Sequence, residues 1–241
     1  MKSKKKISLV IPILNEAPNL KKLINLLRSN LKKYFYEIIF VDDDSKDDSK
    51  QIILNYTDKR IKYILRKGKI KDLTKSCFLG IKKSRYENIL IMDGDLQHNP
   101  KYLKKMLSEF FKNNYDFVIA IRDFNKRHGL STMRYLASLA IIKIFSFFLK
   151  IKLNDPMSGF FVFKKKIYKQ NQKYLFKKGY KILLDLFYNP VEKYKFKEIK
   201  FKFEHRKKGS SKMSFKVILN IISLLFFKLR IKKWKNFIHI F

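Results

Sequence analysis

The run Ile89-Leu-Ile-Met-Asp-Gly-Asp-Leu-Gln-His98 holds the side chains best arranged for chemistry. Asp93 and Asp95 stand two residues apart, directly after four apolar residues, Ile89 to Met92. Two carboxylates at that spacing can share one hard cation, and Gly94 between them allows a sharp bend. This is the Asp-x-Asp arrangement that holds a divalent metal against a nucleotide diphosphate. Oxygen ligands suit Mg²⁺ or Mn²⁺ and not Zn²⁺. The single cysteine and the four histidines (His98, His128, His205, His239) offer no structural zinc spacing. His98 is read either as a support behind the acids or as a surface residue. The four apolar residues read as a buried strand of a parallel sheet, and in an open α/β sheet ligands bind beyond the carboxyl ends of the strands.

The elements that must position these acids are legible along the first half. Ile7–Ile11 is a short strand ending at Pro12. A helix opens at Ala17-Pro18-Asn19, with Leu20, Leu23, Ile24, Leu27 and Leu31 on one face. Ile38–Val41, Ile61–Leu65 and Phe117–Ile121 are further strands. Helices are predicted around Ser49–Tyr56, from Leu73 to about Ser84 with Asp72 as N-cap, and after Asn99-Pro100. Strand–helix alternation at this pitch predicts a mostly parallel α/β sheet with helices on both faces. The second half is less regular. It offers an apolar helix over Ser131–Leu149, a turn at Asp155–Gly159 and a strand at Phe160–Phe163. A helix at Tyr180–Tyr188 and an alternating run from Phe196 to Glu204 follow.

Composition narrows the partners. A chain of 241 residues with 46% hydrophobic residues fits one large domain or a domain plus an appendage. The net charge of +36 points to a polyanion: anionic lipid, a phosphorylated substrate or nucleic acid. An A+T-rich coding bias explains the lysine excess equally well, because Ile, Phe, Asn and Tyr abound too. The lysines run through every segment instead of forming one stripe, which counts against a nucleic-acid partner, so none is expected. The acids are more telling: Asp42, Asp43, Asp44, Asp47 and Asp48 fall within seven residues. One of these five is expected to be functional, with the others capping the next helix. Cys77 stands alone, so no intrachain disulfide is possible, which fits a reducing compartment. Lys2 to Lys6 precede an apolar run too short for a signal peptide, and a cytoplasmic protein is expected.

Residues 213–241 read as a separate segment. The run Val217 to Phe227 has 11 residues, against roughly 20 needed to span a bilayer. As a helix it gathers Phe215, Ile218, Leu219, Ile222, Leu225, Phe226 and Leu229 on one side. Lys228, Arg230, Lys232, Lys233, Lys235 and Trp234 flank that side, as suits a helix lying in an anionic membrane interface. The other reading is a helix packed on the domain or on another subunit.

Six motifs in one order resemble glycosyltransferase family 2, of the dolichol-phosphate mannosyltransferase type. They are Val10-Ile-Pro-Ile-Leu-Asn-Glu16, Phe40-Val-Asp-Asp-Asp-Ser45, Asp93-Gly-Asp-Leu-Gln-His98, Ile121-Arg122, Asp155-Pro-Met-Ser-Gly-Phe160 and His205-Arg-Lys-Lys-Gly-Ser-Ser-Lys212. The resemblance implies the GT-A nucleotide-diphospho-sugar transferase fold over residues 1–212. It implies inverting transfer of mannose or another hexose from a GDP- or UDP-sugar to a polyprenyl phosphate, at the cytoplasmic face of a membrane. By position, Pro12, Leu14, Glu16, Val41, Asp43 and Asp93 match the donor site. Asp93, Asp95 and Gln97 match the site for Mn²⁺ or Mg²⁺. Arg122, Arg134, Ser138 and Arg206 match the grip on the acceptor phosphate, and Asp95, Arg122 and Arg134 are expected to carry catalysis. Arg suits that grip because its planar donor fork fits phosphate oxygens.

The sequence leaves two positions with more than one role. The stretch Lys71-Asp-Leu-Thr-Lys-Ser76 departs from the family, where glycine or serine often opens the helix. Asp185 lies where many family 2 enzymes place a catalytic base. A phosphate nucleophile needs none, since its second pKa is about 6. Asp185 is then either a base for a saccharide acceptor or a helix-surface acid near the donor sugar.

Overall fold

The computed structural model describes residues 5–122, 132–150, 152–189, 192–202 and 215–238, with side chains described outside 132–139, 141, 215–218 and 232–238. Among the described residues seven strands form, most of them continuous apolar runs buried on both faces: β1 (Lys6–Ile13), β2 (Phe35–Asp42), β3 (Ile61–Leu65), β4 (Asn88–Ile91), β5 (Phe117–Arg122), β6 (Phe161–Lys164) and β7 (Phe196–Phe201). They form one sheet in the order β3-β2-β1-β4-β6-β5-β7. Only β6 runs against its neighbours.

The helices divide between the two faces as the strand alternation requires. Leu9, Ile11, Ile38 and Phe40 face α1 (Ala17–Leu31), α2 (Ser49–Leu54) and α4 (Leu103–Lys112). Val10, Ile39, Val41, Ile89 and Ile91 face α3 (Leu73–Lys83) and the second-half helices. Those are α5 (Thr132–Leu149), α6 (Lys165–Gln170), α7 (Ile182–Phe187) and α8 (Phe215–Ile238). Helix α3 lies very close on β1: a Cβ at Gly80 would stand 2.3 Å from Val10 Cγ1. Asp72 caps α3 as expected, its carboxylate accepting from Lys75 N–H at 3.0 Å.

This strand order creates the site. From β1 the chain builds β2 and β3 on one side, then crosses to lay β4 on the other. The reversal leaves a crevice above the carboxyl ends of β1, β2 and β4, the switch point at which such sheets bind ligands.

Helix α8 is long but not apolar all round. Ile221, Leu224 and Lys228 are buried against the domain, while Leu219, Ile222 and Phe226 are exposed. Neighbouring α5 exposes Ile144, Phe147 and Phe148. Lys228, expected among the cations flanking a membrane face, is instead fully buried. Among the described residues no helix is long and apolar enough to cross a membrane.

Candidate active site

The crevice holds a cavity of about 390 Å³. Its walls are Pro12 and Ile13 at the end of β1, Leu14 and Glu16 just after it, Asp43 after β2, and Asp93, Gly94 and Asp95 after β4. Lys71, Asp72, Leu73 and Ser76 from the start of α3, with Tyr180, close the remaining side. Five of the six expected donor residues therefore share one cavity. The exception is Val41, which is fully buried and does not line it. Strand alternation turns Val41 into the α3 face, among Cys77, Phe78 and Ile81.

The acidic cluster after β2 divides its labour. Asp42 is buried and accepts from Ser45 N–H (2.8 Å), Ser45 Oγ (2.6 Å) and Tyr63 Oη (2.9 Å), so it shapes the turn. Asp47 accepts from Ala17 N–H at 2.9 Å, which caps α1 as well as meeting Ser49 N–H of α2 at 3.1 Å. Asp44 adopts φ 63° and pairs with Lys46 and Lys71 at the surface. Asp43 alone of the five lines the cavity. It is held by an ion pair with Arg66 and by Asp72 N–H at 2.6 Å. Arg66 in turn fixes the loop beneath it through Ile70 O (2.8 Å) and Ser76 Oγ (3.1 Å).

After β4 the chain turns through Leu96 with φ 63°, and Asp95 Oδ1 accepts from Gln97 N–H at 3.1 Å. Asp93 N–H donates to His98 Nδ1 at 3.2 Å, and His98 packs between Phe160 and Phe201. His98 is thus buried, and the surface reading is corrected. Burial pushes its pKa down to about 4. The imidazole is neutral near pH 7, with Nδ1 acting as an acceptor that sets the bend. Gly159 leaves the space that the Asp93 carboxylate fills, since a Cβ there would stand 2.8 Å from Oδ2. Gln97 does not line the cavity. Among the described residues no cluster of three His, Cys, Asp or Glu side chains converges on one point. The chain thus provides two carboxylates facing an open cavity. That donor set fits a Mg²⁺-like ion that completes its shell with phosphate oxygens and water.

Arg122 ends β5, two strands from β4 across β6, which places it about 10 Å from the acids by strand spacing. Its Nε and Nη2 each donate to Asp155 at 2.8 Å, and Asp155 is fully buried. Burial disfavours the guanidinium charge, but the Asp155 pair outweighs it and raises the pKa. One edge of the fork therefore belongs to Asp155. Half-buried Lys181 lies in the same field. Burial, then Arg122, pushes it down to about 8 against the pull of Asp155 and Asp93. The side chains of Arg134 and Ser138, and all of Arg206, lie outside the described residues.

Asp185 is neither exposed nor open to a substrate. It is buried, accepts from Phe176 N–H and Lys177 N–H at 2.9 Å each, and pairs with Lys228 Nζ at 2.6 Å. The helix-surface reading is corrected: this acid ties α7, the loop before it and α8 together. The sequence placed the Lys71–Ser76 stretch near the donor diphosphate but gave no cavity role to Tyr180. Tyr180 lies more than a hundred residues from the start of α3 in sequence, and no local spacing announces that they meet.

Comparisons with known proteins agree with this geometry. Residues 8–171 match the family described as Glycosyl transferase family 2. The dolichol-phosphate mannosyltransferase of Pyrococcus furiosus is 32% identical over 236 residues, covering 96% of this chain and 65% of that protein. The chain thus spans just under two thirds of that curated relative. The dolichol-phosphate mannosyltransferase of Saccharomyces cerevisiae is 27% identical over 239 residues, covering 90% of this chain and 85% of that protein. Among solved structures, Mycobacterium tuberculosis glucosyl-3-phosphoglycerate synthase, in complex with Mn²⁺, UDP-glucose and phosphoglyceric acid, superposes with a TM-score of 0.65. That match has 15% identity and covers 92% of this chain and 80% of the other. The sheet order and these likenesses show the GT-A fold. On the family match across most of its sheet, this chain belongs to glycosyl transferase family 2.

Proposed function

We propose that the protein is a metal-dependent inverting glycosyltransferase that moves a hexose from a GDP- or UDP-sugar to a polyprenyl phosphate. The observation that carries the reading is the cavity at the switch point, which joins the ribose- and base-side residues Glu16 and Asp43 to Asp93 and Asp95. Pro12 and Leu14 offer an apolar wall for the base, and Glu16 and Asp43 offer acceptors to its polar edge or to ribose hydroxyls. Asp93 and Asp95, which face the cavity, would hold Mn²⁺ or Mg²⁺ at the donor diphosphate. Bound there, the ion supplies Lewis acidity to the departing nucleoside diphosphate.

The reaction is one in-line displacement. A phosphate oxygen of the acceptor forms a bond to the anomeric carbon as the bond to the diphosphate oxygen breaks on the opposite face. No proton need be removed, because the phosphate is already largely dianionic at neutral pH. Asp185 supports this reading over a saccharide acceptor, since its carboxylate is enclosed by two backbone N–H groups and Lys228. Arg122, together with Arg134, Ser138 and Arg206, holds the acceptor phosphate in line, and much of the rate comes from that positioning.

The lipid acceptor brings the protein to a membrane, peripherally and from the cytoplasmic face. The exposed residues Ile144, Phe147, Phe148, Leu219, Ile222 and Phe226 on α5 and α8 supply an apolar contact. The net charge of +36 supplies attraction to anionic lipid. Titration of GDP and UDP with and without Mn²⁺ tests the donor site. Binding should require the metal and should be lost in Asp95→Asn. Metal-independent binding that survives Asp95→Asn would refute the assignment.

A further inference from the structure

Helix α8 does not line the cavity, yet it packs on a loop that does. Lys228 is fully buried, and its Nζ makes three short contacts: Tyr174 O at 2.6 Å, Asp185 O at 3.0 Å and Asp185 Oδ1 at 2.6 Å. The Asp185 carboxylate also accepts from the consecutive N–H groups of Phe176 and Lys177. That loop holds Lys177 at the costly φ of 59°, while Gly179 supplies the φ of 90° that glycine adopts readily. A non-glycine residue at positive φ persists only where its surroundings hold it. The Phe176 ring packs at a tilt against Phe227 of α8, with centroids 5.3 Å apart, and a Cβ on Gly179 would stand 3.3 Å from Asn220 Cβ. Thus α8 braces the loop at both ends.

The loop then delivers its load to the site. Gly179 N–H donates to Asp72 Oδ2 at 3.0 Å, and Gly179 O accepts from Thr74 N–H at 3.0 Å, which docks it on the start of α3. The next residue, Tyr180, is a wall of the cavity. We infer that Lys228 is a positioning residue: through Asp185 it fixes the 174–181 loop, and so sets the donor-site wall formed by Tyr180 and Asp72. Helix α8 is then part of the catalytic unit, with one face bracing the donor site while Leu219, Ile222 and Phe226 point outward. The inference rests on the reading that this cavity takes the sugar nucleotide.

The physical warrant is the cost of leaving one charge of a buried pair alone. Lys228→Met keeps an apolar stem of similar shape and removes the ammonium, so Asp185 loses its counter-ion and the carbonyls of Tyr174 and Asp185 lose their donor. The loop then relaxes and the cavity wall loosens, in a protein that is otherwise folded.

The experiment uses the full chain. Nucleoside-diphosphate affinity in Mn²⁺ is measured by calorimetry, and tryptic cleavage after Lys177 and Lys178 is followed by mass spectrometry. In Lys228→Met, affinity should fall about tenfold, within the usual range of coupling between linked sites. Cleavage at those two lysines should speed up by a similar factor, while cleavage at surface lysines of α1 stays unchanged. The KM for polyprenyl phosphate should stay near its normal value, and Lys228→Arg should restore part of the loss. Should Lys228→Met fail to fold, Asp185→Asn keeps the shape and one acceptor oxygen, and carries the same expectation at smaller amplitude. A folded variant with unchanged affinity and unchanged cleavage at Lys177 would overturn the inference. If the unmodified protein binds no nucleoside diphosphate, the donor-site reading fails, and the cleavage arm alone decides whether Lys228 holds the loop.

Discussion

Gly159→Ala should damage the metal site without damaging the fold. Gly159 lies just before β6, and its backbone is not in the left-handed region, so alanine meets no conformational penalty there. The added Cβ, however, would stand 2.8 Å from Asp93 Oδ2, 3.2 Å from Oδ1 and 3.3 Å from Cγ. The whole carboxylate is crowded, so rotation about its terminal bond cannot relieve the contact. Ordinary contact distances require a retreat of about half an ångström. Asp93 is short, and its backbone is fixed by the bond to His98, so the carboxylate moves relative to Asp95. A misplacement of ~1 Å in a catalytic constellation costs on the order of 100-fold, so half of that corresponds to about tenfold. The assay is the initial transfer rate against Mn²⁺ concentration. The rate at saturating Mn²⁺ should fall about tenfold and the half-saturating concentration should rise, while the melting temperature stays within about 3 °C of the unmodified protein. A variant with an unshifted Mn²⁺ profile and full activity would show that Asp93 is not a ligand.

Arg134→Lys keeps the charge and loses the planar fork, so the KM for polyprenyl phosphate should rise while donor affinity holds. A fall in donor affinity instead would place this arginine at the other phosphate. Replacing both Phe147 and Phe226 by serine should weaken sedimentation with anionic liposomes by roughly 100-fold, from about 3 kcal/mol of lost apolar burial. These two rings are 78% and 67% exposed, and unchanged binding would place the membrane contact elsewhere. Glu37 offers a pH test. Burial raises its pKa, but Lys62, Ser8 Oγ and Arg85 N–H together outweigh that and hold it low. Its stabilising contribution is present above the unfolded value of about 4.3 and is lost as pH falls through the folded one. The stability gap between the unmodified protein and Glu37→Gln, read from urea midpoints, should therefore shrink below pH 4. A gap that is constant from pH 7 to pH 3 would contradict it.

The strands and helices of the first half were legible because local rules govern them. Pro18 and Asp72 mark helix starts, and runs such as Ile89–Met92 can only be buried. The acids at strand ends followed from the same reading, and one of the five aspartates after β2 does line the cavity. What remained hidden depends on contacts distant in sequence. Val41 reads as part of a motif, yet strand alternation buries it. His98 and Asp185 look like surface residues until Phe160, Phe201 and Lys228 arrive from elsewhere in the chain. Lys228 itself sits in a run of cations that suggests solvent or lipid, and only the docking of α8 shows that it turns inward. Helix α6 carries three lysines in six residues and gives no apolar period to find it by.

The most direct test of the central claim is one incubation. Purified protein is mixed with Mn²⁺, polyprenyl phosphate and each of a panel of labelled GDP- and UDP-sugars, and the mixture is extracted into organic solvent. The account predicts that label from one donor enters the organic phase only when polyprenyl phosphate and Mn²⁺ are both present, and that Asp95→Asn abolishes the transfer. Label that stays in the aqueous phase with every donor, or that moves to a saccharide acceptor in place of the lipid phosphate, would contradict it.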